Sequence, residues 1–130
     1  MNYYMKENDQ HLQTARIAYQ LARETLPRYA HAKSPHFFTF QQLGACALVR
    51  SILRISYRDM QSYLKDNEPL RRVLELRSVP DYSTLLRTEQ KMQDSFDSIM
   101  DKLVTRLESL PVQTTSPAAW SGYGSYDRRY

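Results

Sequence analysis

Two hydroxyls and two cations open the segment "DYSTLLRTEQK": Ser83 and Thr84, followed by Arg87 and Lys91 four residues apart. On a helix, residues four apart are surface neighbours. Such a set can donate hydrogen bonds to phosphate oxygens, and an arginine among them can grip a guanine edge with two parallel bonds. Upstream, Arg71, Arg72 and Arg77 are three more cations suited to backbone phosphates. The same residues also suit the solvated surface of an ordinary helical domain, interspersed as they are with Asp59, Asp66, Glu68, Glu75 and Glu89. Both readings stay open at this level.

Other chemistry finds little support in the chain. His11, His31 and His36 lack metal-ligand spacing, Ser56 has no histidine near it in sequence, and no glycine-rich phosphate loop occurs. Cys46 sits in the apolar run "GACALV" and reads as a small buried hydrophobe. Asp94, Asp97, Asp101 and Glu108 fall in a helical segment and read as its solvated face. No catalytic residue, cofactor or metal is therefore expected.

Composition agrees with an anionic partner without identifying one: 18 Lys and Arg against 14 Asp and Glu leave a formal charge of +4 over 130 residues. A single cysteine excludes an internal disulfide framework. No apolar run approaches the roughly 20 residues needed to span a bilayer, and the first residues do not lead into a secretory segment. A cytoplasmic location without membrane contact is the expectation.

The elements that must position these residues are all helical. Leu12, Ala15, Tyr19, Ala22 and Leu26 alternate at spacings of three and four, predicting a helix over 9–29 that Pro27 closes. Thr39, with Gln42 three residues on, forms a capping box for a central helix over 40–55 with apolar residues on nearly every side. Ser56 and Asp59 start a third helix ending near Asp66. Asn67 with Glu68-Pro69 starts a short fourth, whose Leu70, Val73 and Leu74 face inward. After Pro80, either Asp81 or Ser83 caps a fifth, along which Met92, Phe96, Met100, Leu103, Leu107 and Leu110 form an apolar stripe.

The expected fold is thus all-α: a compact bundle of about five helices over 1–110, containing a helix-turn-helix-like cluster whose reading helix begins at Asp81 to Ser83. Residues 111–130 are rich in Pro, Gly, Ser and Tyr and are expected to form a disordered tail. There Trp120, Tyr123, Tyr126 and Tyr130, beside Arg128 and Arg129, have the chemistry to stack on bases.

The order of motifs over residues 38 to 92 adds a resemblance. "SYRDMQSYL", then "LRRVLEL", then "VPDYSTLLR" resembles the N-terminal region of IS4/IS5-type DDE transposases, carried here by Tyr57, Arg58, Leu64, Leu70, Leu74, Leu76, Val79, Pro80, Asp81, Ser83, Thr84, Leu85 and Arg87. The resemblance implies an all-helical end-binding or assembly region ahead of an RNase H-like catalytic domain, for which this chain has no room after residue 92. The expected function is a non-catalytic DNA-binding module, a truncated or remnant transposase that binds element ends. Its partners would be double-stranded DNA at transposon ends, and a second copy of the chain or a full-length transposase. The alternative is a helical protein-protein assembly module, motivated by the stripe in residues 96 to 110.

Overall fold

A computed structural model describes residues 2–29 and 37–110. Among these residues the chain forms six helices: α1 (Asn2–Thr25), α2 (Phe40–Leu53), α3 (Tyr57–Asp66), α4 (Glu68–Val73), α5 (Tyr82–Met92) and α6 (Asp94–Glu108). The sequence reading of 111–130 falls outside the described residues.

Small residues line the most extensive helix-helix contact in the bundle. Ala15, Ala18 and Ala22 of α1 are fully buried, as are Ala45, Cys46 and Ala47 of α2, which lets the two helices approach closely. Gly44 has no room for a side chain: a Cβ there would stand 2.6 Å from Cδ1 of Leu26, just past the end of α1. α2 is the central helix, with Gly44 through Val49, Ser51 and Ile52 all buried. Its start carries the predicted capping box, Thr39 accepting from the Gln42 N–H at 2.9 Å and the Thr39 N–H donating to the Gln42 side chain at 2.9 Å. Burial pushes the Cys46 thiol up to about 12, so this sulfur stays protonated and behaves as a core hydrophobe.

Around α2, α1 packs on α6 and α4, while α5 packs on α2 and α3. Local capping builds the short elements. Ser56 accepts from the Asp59 N–H at 3.0 Å to begin α3, and Asn67 accepts from the Leu70 N–H at 3.1 Å to begin α4, with Pro69 in its first turn.

Three boundaries differ from the sequence reading. α1 starts at Asn2 rather than residue 9, because "NYYMKEN" contains no breaker even though it adds no stripe. α1 ends at Thr25, where Pro27 closes it as expected, but α2 ends at Leu53 rather than 55, capped by Arg54 in the left-handed region at φ 58°. The single long helix expected after Pro80 is two, so the bundle has six members. The break falls at Gln93, whose backbone takes φ 47° and ψ −122°. Its physical cause lies in what the two halves bury against: α5 docks on α2 and α3, whereas α6 must turn to dock on α1. Asp94 and Asp97 then occupy the first turn of α6, where carboxylates favour the helix dipole.

Candidate nucleic-acid interface

α5 is seated from three directions. Leu85, Thr88 and Met92 are buried beneath it, and the Thr88 hydroxyl donates to the Thr84 carbonyl at 2.8 Å. Its first N–H, that of Tyr82, donates to Gln61 Oε1 of α3 at 2.8 Å. Its cap is Asp81, whose Oδ2 accepts from the Ser83 N–H at 3.0 Å and from the Ser83 hydroxyl. That hydroxyl, then the N–H, with smaller help from Arg87 and Arg58, holds the Asp81 carboxyl below its ordinary value.

The one carboxylate within α5, Glu89, is turned aside to Arg50 of α2 at 3.2 Å. Arg50 is anchored further: its Nη1 donates to the Ile55 carbonyl at 2.9 Å and its guanidinium lies 4.2 Å over the Tyr57 ring. The outward side of α5 therefore carries Leu86, Arg87, Gln90 and Lys91, all exposed. At the helix start, Arg58 of α3 lies 4.2 Å over the Tyr82 ring and donates to its hydroxyl at 2.9 Å, adding a cation beside the first turn.

Of the residues singled out from the sequence, Ser83, Thr84, Arg87 and Lys91 all belong to α5, as the spacing requires. Two of them make local hydrogen bonds. The Ser83 hydroxyl donates to Asp81, which caps the helix. The Thr84 hydroxyl accepts from Arg87 Nη2 at 3.3 Å, which biases that guanidinium toward the helix start.

The three upstream arginines do not form one clamp. Arg71 Nη1 donates to the Leu64 and Lys65 carbonyls at 2.6 and 2.8 Å, closing the end of α3. Arg72 pairs with Glu68 one turn away at 3.1 Å, both well exposed. Arg77 lines a cleft with Arg23 and Arg28 of the N-terminal part of the chain. Sequence reasoning did not single out Gln90 or Leu86, and named Arg58 only among the residues that carry the resemblance. The signal for Gln90 was present: it stands three residues after Arg87, on the same side of the helix.

The stripe that motivated the assembly reading is largely covered within the chain. Ile99, Met100, Leu103 and Leu107 are buried, and Phe96, Val104 and Leu110 pack against the same core. The acids of α6 stay exposed. No group of His, Cys, Asp and Glu among the described residues can hold a metal ion, and His11 is bonded to the Tyr63 hydroxyl. Among the described residues, no helix is long and apolar enough to cross a membrane.

Fold and surface together define, among the described residues, an all-α bundle in which the capped helix α5 exposes two cations and turns its one carboxylate aside. No protein-family model matches the chain, no curated protein matches it, and no solved structure matches it. The motif order had suggested the labels transposase, transposition, DNA recombination, insertion sequence and transposable element. With no match of any kind behind them, these labels are corrected and set aside. The fragments that carried the resemblance have local jobs in this fold: Ser56 and Asp81 are caps, and Leu64, Leu70, Leu74, Leu76 and Leu85 are core.

Proposed function

We propose that this chain is a non-catalytic module that binds duplex DNA, with α5 entering the major groove in the manner of a helix-turn-helix reading helix and α3 supporting it. The observation that carries this reading is the outward side of α5. It offers a guanidinium, a carboxamide, an ammonium and an apolar side chain, and the only carboxylate of the helix is turned away to Arg50.

Each group has a base-edge counterpart: Arg87 for the two acceptors of guanine, Gln90 for the donor and acceptor of adenine, Leu86 for the thymine methyl. Lys91 and Arg58 flank them and suit phosphates on either side. A capped helix with a buried underside keeps these groups at fixed spacing, which sequence discrimination demands.

Selection from a random duplex library, followed by affinity measurements at several salt concentrations, tests the proposal. An enriched site whose preference is lost in Arg87→Ala and Gln90→Ala, with the rise of log Kd with salt becoming shallower only for Lys91→Ala, supports it. A library that yields no enriched sequence sinks it, and self-association of the chain at micromolar concentration would then favour the assembly reading.

A further inference from the structure

We infer that the polar cleft bounded by α1, the start of α2 and the loop after α4 is a binding site for a phosphate anion carrying more than one charge, such as a diphosphate or a phosphate ester. The cleft has a volume of about 570 Å³. Three arginines from three separate segments line it: Arg23 of α1, Arg28 before α2, and Arg77 after α4. Among the described residues none of the three is ion-paired. Arg23 lies 5.4 Å over the Tyr19 ring and Arg28 lies 5.8 Å over the Tyr29 ring, contacts that hold a guanidinium without neutralising it.

The one carboxylate in the lining, Glu75, is already engaged: its Oε1 accepts from the Tyr19 hydroxyl at 2.9 Å. Burial, reinforced by that bond, pushes the Tyr19 hydroxyl up to about 12, so it remains a donor at neutral pH. The frame is stiff. Gln42 Nε2 donates to the Glu75 and Leu74 carbonyls at 2.7 and 3.2 Å while its side-chain oxygen accepts from the Thr39 N–H. One side chain thus ties the start of α2 to the loop that carries Arg77. Glu75 itself is held at φ 57°, a left-handed backbone that a non-glycine residue adopts only when its surroundings enforce it.

These parts share one chemistry. A guanidinium presents a planar fork that matches two phosphate oxygens, and three of them border the same space. Three unpaired guanidiniums against one engaged carboxylate leave the cleft cationic, and its size exceeds what a single monovalent anion would fill. The inference stands independently of α5: it requires neither Arg87 nor groove binding.

Calorimetric titration of the full chain with inorganic pyrophosphate at low salt tests it, with amide shifts of Gln41 and Gln42 recording where the anion sits. Saturable one-site binding is expected, weakened about tenfold in Arg77→Ala and in Arg23→Ala, since each removes a charge-assisted bond. Glu75→Gln, which keeps an acceptor for Tyr19 and deletes the negative charge, should tighten it. Lys102→Ala on α6 should leave it unchanged. Because Arg23 and Arg77 are exposed, circular dichroism should show all variants folded. A duplex that displaces pyrophosphate from Arg87→Ala as well as from the wild type assigns the site to a nucleic-acid backbone; no displacement assigns it to a small phosphate ligand. Failure to saturate in the millimolar range, or saturation unaltered in both arginine variants, would overturn the inference.

Discussion

α5 and α6 arise from one continuous stretch, and both bury a stripe of similar character, yet their outer sides are opposite in charge. α6 buries Ile99, Met100, Leu103 and Leu107 and exposes Asp94, Asp97, Asp101 and Glu108, while its Arg106 is taken up by Glu24 of α1 at 2.7 Å. α5 buries Leu85, Thr88 and Met92, directs Glu89 to Arg50, and exposes Arg87 and Lys91. The inner stripes settle only where each helix docks. The outer residues decide which side of the bundle an anionic duplex can approach, so a modest net charge of +4 gains direction from its distribution.

The seat of α5 offers the largest break. Leu85 is fully buried, and Leu85→Ala should cost about 2–5 kcal/mol of unfolding free energy, lost transfer energy plus a cavity. Leu103→Ala under α6 should cost a similar amount. Urea denaturation measures both. If the comparison holds, only the Leu85 variant also loses DNA selectivity under conditions where both remain folded, since only α5 carries the groups proposed to read bases. Equal loss of selectivity would mean that the whole bundle, rather than one helix, governs binding.

Next in size is recognition itself. Arg87→Ala should reduce the preference for a selected site by about 1–3 kcal/mol, the range for a lost bidentate base contact. Lys102→Ala, which removes an exposed cation from α6, should alter neither selectivity nor the salt slope. Filter-binding affinities on the selected and a scrambled duplex separate the two outcomes. Matched losses in both variants would reduce the contrast between the helices to unspecific charge.

Most of the scaffold was legible because its signals are local. Thr39 with Gln42, Ser56, Asn67 and Asp81 each announce a helix start through a short polar side chain placed to accept a backbone N–H, and each does so in the structure. The break at Gln93 was not legible. No glycine or proline marks it, and the apolar stripe runs through it from Met92 to Phe96. It is imposed by tertiary docking of the two halves on different partners. The fate of the arginines was equally hidden, since nothing local says that Arg71 turns back to cap α3 while Arg77 faces a cleft.

Gln93 supplies a third prediction. At φ 47° and ψ −122° it occupies a region that glycine enters at little steric cost. Gln93→Gly should therefore raise stability by about 1 kcal/mol, the relief of one strained residue exceeding the extra freedom of the unfolded chain. Thermal unfolding reads the change. A lower melting temperature would indicate that α5 and α6 tend toward one continuous helix, and would blur the boundary on which their comparison rests.

The smallest effect concerns how acid loosens the two helices. Asp81 caps α5, and Glu24 reaches from α1 to Arg106 of α6; both carboxyls lie below their ordinary values of 3.8 and 4.5, held there chiefly by side-chain hydrogen bonds from Ser83 and Arg106 respectively. A carboxylate depressed in the folded state contributes its full stability above its unfolded value, and that contribution is lost as pH falls through the folded value. Both contacts are therefore intact at neutral pH and fail only on the acid side of about pH 4. Their exposure keeps the effect small, and salt screens it further. Amide exchange followed from neutral to acid pH should show the first turn of α5 losing protection through Asp81 and the contact between α1 and α6 loosening through Glu24. Asp81→Asn, which keeps a capping oxygen and cannot titrate, should flatten the acid response of α5 alone. Glu24→Gln should flatten that of α6 alone. Acid responses identical to the wild type in both variants would mean that neither carboxylate helps to seat its helix, and that the buried side chains beneath α5 and α6 hold them unaided.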